Sequence, residues 1–407
     1  MIENPFTKPT FESVWLKHFK GGAVPKEFKS VSPVKFFKDS RFPLHINVGK
    51  NITNGIYYNV DESATDYKGK TFLMYDVPSY FDVVTDSKNG LKLKKSEQFK
   101  GFVCDLKAFD NYDQYLKSVY KKSKNRSKFR RNFERLEANF DVEYKLFHGT
   151  MSSAEYEEVF HQMIGLIKRR FDSLGLDNNI VAKKDYYYDL CYDMVLNKEA
   201  LFFATYADGE PVGISFMFTG RPVLFAAITT FDVDFKRYNL GHITIIKMLQ
   251  WCFDNDYQIF DFSKGEYEYK IRWSNHPYRF HNHILYDSKS FKSRLTASLV
   301  CGFFDFKQFL RDRNVNFMYN RFKYFFKSNK KVDALKSLKV KDLGDDEINF
   351  DLLDEIHIEN GYEFLKEPVL SHIFIHTEPF KNIKFYKKKD EAVFYALGNS
   401  TRIMLFS

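Results

Sequence analysis

The sequence predicts an α+β (mixed α/β) fold, a central mostly antiparallel sheet flanked by helices. Three observations lead there. The first hundred residues alternate short strand-like runs with Pro, Gly and Asn punctuation. Helical apolar spacing then dominates from Asp113 to Leu196. From Ala200 strand-like runs return as a meander, interrupted by one apolar helix. At 407 residues the chain exceeds one ordinary core, so two domains and a small third unit are expected.

Phe72 to Val77 and Gly101 to Leu106 have strand composition in the first half. One long helix is expected from Asp113 to about Asn139, with Leu116, Val119, Tyr120, Phe129, Phe133 and Leu136 as its apolar stripe. Around that stripe lie Lys117, Lys121, Lys122, Lys124, Arg126, Lys128, Arg130, Arg131 and Arg135. Cations this dense repel one another along a helix unless something anionic offsets them. Val142 to Leu146 reads as a strand, and Ala154 to Leu174 and Lys184 to Leu196 as helices.

Ala200 to Tyr206 and Val212 to Thr219 flank the turn Ala207-Asp208-Gly209-Glu210, a hairpin signal. Pro222 to Thr230 adds a third strand, and a helix follows from Leu240 to Asn255. Ile259 to Phe262 reads as a buried strand and Tyr278 to Leu285 as the last of this sheet. Ser290 to Lys331 reads as helical, with alternating aromatic and basic residues. The remainder ends in a hairpin from Ile383 to Phe406, turning near Lys388-Lys389-Asp390.

A hydrophobic content of 44%, with 18% aromatic residues, is enough to build these cores and argues against general disorder. The net charge of +9 favours anionic partners without choosing among them. Cys104, Cys191, Cys252 and Cys301 are scattered and form no CxxC pair, the pattern of reduced thiols in a cytoplasmic protein. The N-terminal residues lack the charged and apolar regions of a signal peptide, and no apolar run approaches about 18 residues, so no span is expected. A peripheral membrane contact through the 290–331 segment is compatible with its composition. HExxH, G-x-S-x-G and Walker A patterns do not occur. His281 and His283 lie on the same side of a strand without a third ligand motif beside them and read as structural, so no metal is expected.

The densest chemistry lies between Phe231 and Trp273. Gly241 opens an apolar helix behind Lys236 and Arg237, and a helix start of that kind can hold a phosphate with backbone amides and the helix dipole. Behind the next strand comes a compact Asp-Gly-Glu-Tyr-Lys-Arg-Trp cluster. A three-strand meander, a helix beginning at glycine, a strand and a further hairpin is the order of a GNAT acyltransferase core.

The chain resembles the GNAT-superfamily branch of CelD-like proteins of polysaccharide-biosynthesis clusters, akin to the FemABX aminoacyltransferases. Asn4 to Phe19 is similar to that branch's opening Phe-x-Ser-x-x-Trp segment, and Lys124 to Glu137 resembles its basic linker helix. Asp261 to Trp273 (DFSKGEYEYKIRW) resembles its Asp-Phe-x-x-Gly-x-x-x-Tyr-Lys-x-Arg-Trp signature. The likeness covers roughly residues 4–290. It implies two GNAT-like halves, 1–145 and 146–290, with 291–407 as an extension. Ordinary family members carry Gln/Arg-x-x-Gly-x-Gly/Ala at the pyrophosphate loop. Here Tyr238-Asn239-Leu240-Gly241-His242-Ile243 keep one glycine and lose the leading cation.

The resemblance implies an N-acyltransferase using acyl-CoA or acyl carrier protein as co-substrate, with no tightly bound cofactor, acting on an amine of a sugar, amino acid or lipid precursor in envelope or polysaccharide biosynthesis. Lys236, Arg237, Gly241, His242 and Ile243 are the candidate donor-binding residues, and Asp261, Arg272 and Arg130 the candidate substrate contacts. Glu266, with Glu268 beside it, is the candidate general base, Tyr269 a proton donor to the leaving thiolate or a packing residue, and Lys270 a cation for an anionic group. Two alternatives stand beside it: an aminoacyl-tRNA-dependent transferase and a non-catalytic binding protein with the same fold.

Overall fold

The computed structural model describes residues 3–50, 52–61, 63–81, 83, 90–313, 338–344 and 346–406. Its first half supplies β1 (Lys26–Phe28), β2 (Val31–Lys38), β3 (His45–Asn47), β4 (Asn59–Val60), β5 (Thr71–Pro78) and β6 (Leu91–Asp105). The second supplies β7 (Val142–Phe147), β8 (Ala200–Ala207), β9 (Glu210–Gly220), β10 (Val223–Phe231), β11 (Ile259–Lys264) and β12 (His276–Asp287). All twelve join one sheet, in the order β1-β2-β3-β5-β12-β6-β11-β10-β9-β8-β7, with β4 on β2. Among the described residues only the β3–β5 and β10–β11 pairs are parallel. The mixed α+β architecture with a mostly antiparallel sheet is as the sequence predicts.

Several pairings cross the expected boundary near residue 145, that of β11 with β6 among them. β12 lies between β5 and β6, so a late strand completes the first half. β7 straddles the boundary and pairs with β8. At the β8–β9 turn, Asp208 (φ 51°) and Gly209 (φ 83°) both take the left-handed conformation that a two-residue hairpin of this twist demands.

Helices α1 (Pro9–Lys20), α2 (Tyr112–Val119), α3 (Ser123–Asn139), α4 (Ser153–Asp172), α5 (Asn179–Ala182), α6 (Lys184–Leu196), α7 (Leu240–Asp254), α8 (Glu268–Trp273) and α9 (Phe291–Asp312) flank the sheet. The single helix expected from Asp113 to Asn139 is two helices, broken at Tyr120–Lys122. The break follows from packing: the Tyr120 ring meets Phe129 and Trp273 edge-on. Arg126 then donates to the carbonyls of Tyr120 and Lys121 that the break frees. The segment Glu268–Trp273 is likewise a short helix, so Lys270 and Trp273 turn inward while Glu268 and Arg272 pair outside.

Of the helical stretch expected to Lys331, α9 ends at Asp312 and residues 314–331 lie outside the described residues. The C-terminal part is richer than a hairpin. Strands β13 (Lys339–Asp342), β14 (Leu353–Ile356), β15 (Lys384–Lys388), β16 (Val393–Leu397) and β17 (Arg402–Phe406) form a second sheet, ordered β13-β17-β16-β15-β14. Its inner face packs on α10 (Lys366–His376), and α10 packs on the main body. Leu365, Val369, Leu370 and Ile373 share a core with Leu136, Tyr238, Leu240 and Ile243. The extension thereby braces the start of α7.

Candidate active site

The site begins with a wedge in the main sheet. β10 and β11 run parallel for three paired positions, Val223↔Ile259, Leu224↔Phe260 and Phe225↔Asp261. Past that point β10 bulges between Ala226 and Ile228 and continues along β9. β11 shifts register between Asp261 and Lys264, with Ser263 at φ 59°, and continues along β6. Each bulge bends its strand. The carboxyl ends therefore part, at the kind of switch point where open α/β sheets bind ligands.

The connecting helix α7 starts at the mouth of this wedge. Together they enclose a cleft of about 410 Å³, walled by Met217, Ala226, Thr229 and Phe231 on one side and Phe260, Phe262 and Tyr269 on the other. Arg170, Lys236, Asn239, Gly241 and His242 also line it. A larger hollow of about 960 Å³ lies along β1, β2 and residues 63–66, remote in sequence from these groups.

The helix start is open to an anion. Asn239 caps α7 in the left-handed conformation (φ 55°), and its side chain donates back to the Arg237 carbonyl rather than accepting from the helix. The His242 and Ile243 amides both point to the Asn239 carbonyl, at 2.9 and 3.3 Å. Among the described residues the Leu240 and Gly241 amides bond to nothing, which leaves two donors for a ligand. A Cβ on Gly241 would sit 3.4 Å from the Phe231 ring, so its glycine keeps that wall of the cleft low. Lys236 reaches Glu367 of α10 at 2.7 Å, and the Arg170 guanidinium lies over Phe231 at 4.7 Å. The backbone pattern and nearby cations suit an anionic group such as a phosphate.

His242 brings more than its amide. Its Nδ1 accepts a 2.8 Å hydrogen bond from the Trp273 indole, which can only donate. Burial, reinforced by Lys128 and Arg272, lowers its pKa to about 4. At neutral pH the ring is uncharged and the remaining hydrogen sits on Nε2, a donor of fixed tautomer on the cleft lining. Trp273 is itself fully enclosed, with Tyr115 and Cys104 donating to its carbonyl.

Behind the cleft lies a buried polar network. Asp261 is 0% exposed and accepts from the Tyr80 hydroxyl (2.7 Å), the Tyr278 hydroxyl (2.7 Å) and the Ser263 amide (2.6 Å). Burial pushes its carboxyl up to about 6 against the pull of those bonds. Lys270, 6% exposed, donates to the Lys264 carbonyl at 2.7 Å. Burial lowers its pKa to about 8, and nearby Asp261 limits the fall. Lys264 is fixed by Asp76 at 2.6 Å. Tyr269, 43% exposed on the cleft wall, has its hydroxyl pushed up to about 12 by desolvation, so it keeps its proton at neutral pH.

The structure gathers Lys236, Gly241, His242 and Tyr269 on the cleft, with Asp261 and Lys270 behind it. Ile243 faces the core shared with the extension, and Arg237 is exposed. Glu266 lies outside the cleft lining, its side chain 52% exposed and paired with Lys100. Arg272 pairs with Glu268 on the surface, and Arg130 pairs with Glu134 along α3. Sequence reasoning missed Arg170, Tyr80 and Tyr278. They come from α4, the β5 edge and β12, and no local spacing connects them to Asp261.

Residues 123–271 match the family described as acetyltransferase (GNAT) domain, so the protein carries an acyltransferase domain of that kind over that stretch. No curated protein matches the chain. Among solved structures it is similar to FemX (11% identity, TM-score 0.47), covering 70% of this chain and 93% of that one. It is also similar to a conserved protein of unknown function from Bacteroides thetaiotaomicron VPI-5482 (11% identity, TM-score 0.46; 70% and 91% covered). L-PGS from Bacillus licheniformis is a third (14% identity, TM-score 0.39; 74% and 97% covered). Among the described residues, no helix is long and apolar enough to cross a membrane.

Proposed function

We propose that the protein is an N-acyltransferase that draws an acyl group from a phosphate-bearing thioester, acyl-CoA or acyl carrier protein, and delivers it to an amine. The observation that carries this reading is the wedge between β10 and β11 with the open Leu240 and Gly241 amides at its mouth. The donor phosphates rest on those amides near Lys236, with Arg237 in reserve on the exposed side, and the thioester lies along the apolar wedge. The acceptor nitrogen attacks the thioester carbonyl carbon, and Nε2–H of His242 stabilises the oxyanion that forms. The carbon–sulfur bond then breaks and Tyr269 gives its proton to the departing thiolate. Glu266, exposed and paired with Lys100, is the proposed acceptor of the amine's proton. Lys270 and Asp261 position α8 from behind, and Arg272 and Arg130 supply outer charge for an anionic acceptor.

We place the protein in the cytoplasm, consistent with its four free thiols, and assign it an envelope or polysaccharide precursor as acceptor on the strength of the signature at Asp261–Trp273. The exposed apolar face of α9 (Phe291, Leu299, Phe303, Phe306) suits a peripheral contact with a membrane that holds such a precursor. Calorimetry of CoA and acyl-CoAs of increasing chain length tests the donor. Saturable binding lost in Gly241→Leu supports the reading, and no binding of any thioester together with no acylated product by mass spectrometry defeats it.

A second reading, an aminoacyl-tRNA donor, is favoured by one observation. On α3, Lys124, Lys128 and Arg131 have no ion-pair partner among the described residues, and Phe129 of the same helix touches His242. Binding of an aminoacyl-tRNA that weakens steeply with salt would select this donor over CoA.

A further inference from the structure

We propose that Asp342, His372 and His376 form a binding site for a divalent transition-metal ion, with Zn²⁺ the preferred occupant. The site lies in the C-terminal extension, outside the acyltransferase domain. His372 and His376 are one helical turn apart on α10, which puts both imidazoles on one face. Their rings stack with centroids 4.2 Å apart. Asp342 ends β13, opposite Ile403 of β17, and brings its carboxylate to the same point. One ligand atom from each of the three lies within 4.8 Å of the others.

Two imidazoles and a carboxylate are a donor set that holds Zn²⁺ and leaves a position for water. A tetrahedral Zn²⁺ needs ligand atoms about 3.3 Å apart, so closure asks only for rotation of side chains, two of them exposed. The donors are also unspent. Among the described residues neither imidazole makes a hydrogen bond or ion pair. Asp342 accepts the Gly344 amide at 3.0 Å through Oδ1, which orients the carboxylate and leaves Oδ2 free. The contrast with His283 is plain, since that imidazole is buried and bonded to the Tyr58 hydroxyl at 2.8 Å.

A metal here would tie the edge strand β13 to α10. That helix holds the α7 entrance through Glu367–Lys236 and through its Ile373 carbonyl, which accepts from Asn139 at 3.0 Å. The role is therefore structural, at a distance from the acyl chemistry.

The test uses the full chain, stripped with a chelator and titrated with Zn²⁺ by calorimetry and with Co²⁺ by visible absorption. Saturable uptake of a single ion is expected, with a rise in Tm. His376→Ala and Asp342→Asn should each weaken binding by on the order of tenfold or more, while His281→Ala leaves it unchanged. Circular dichroism confirms that the exposed-site variants stay folded. No saturable uptake overturns the proposal, as does uptake undiminished in a His372→Ala/His376→Ala double variant.

Discussion

Tyr269 and His242 are the two cleft side chains whose protonation the fold fixes, and they suit different halves of one reaction. If Tyr269 protonates the departing thiolate as proposed, Tyr269→Phe should lower kcat by about a hundredfold with an unchanged Tm. Glu266 stands outside the cleft lining, and a Glu266→Gln enzyme with wild-type kcat across the pH range would remove it from the base role. Asp261 accepts three donors in a site without exposure, so Asp261→Asn should cost about 1–3 kcal/mol in denaturant unfolding. The same change removes the group that raises the Lys270 pKa, so that pKa should fall below its present value of about 8. Lysine labelling followed against pH by NMR would read the shift.

At the scale of elements, α7 decides the site because its first turn is left uncapped. Gly241 lies inside a helix, and its glycine is not required by a left-handed backbone. A Gly241→Ala variant should therefore hold or gain a few tenths of a kcal/mol of stability. Its methyl would stand against Phe231, on the path proposed for the donor. The expected result is a helix as stable as before with CoA binding weakened by about tenfold, read by calorimetry beside thermal melts; equal affinity would move the donor off this helix start. The break between α2 and α3 shows the same logic in reverse. Apolar spacing runs on through residue 120, yet burying Tyr120 against Trp273 interrupts the helix and angles the basic α3 across the start of α7.

For the whole molecule, the interleaved sheet makes the two halves one cooperative unit, since β12 is hydrogen-bonded on both sides by strands of the first half. Its buried His283 links that unit to pH. Burial lowers its pKa from 6.5 to about 3, so the unfolded chain binds the proton first and stability is lost as pH falls below 6.5. Relative to His283→Gln, the wild-type protein should lose up to about 1.4 kcal/mol for each pH unit below 6.5. Denaturant unfolding of both proteins at about pH 7 and about pH 5 checks the sign. A difference that stays constant would mean that the imidazole is not held neutral.

The sequence by itself determined the order of strands and helices from Ala200 to Leu285, the Asp208-Gly209 turn, the helix that opens near Gly241 and the polar cluster after Asp261. Each of these is written in neighbouring residues: a period of two or of three and a half, a turn pair, a glycine behind cations. Tertiary structure alone decided that Tyr80 and Tyr278 enclose Asp261, that Trp273 sets the tautomer of His242, that β12 enters the first half, and that α10 braces the start of α7. Those choices rest on contacts between residues far apart in the chain. Periodicity tells which face of an element is apolar and says nothing of which partner covers it.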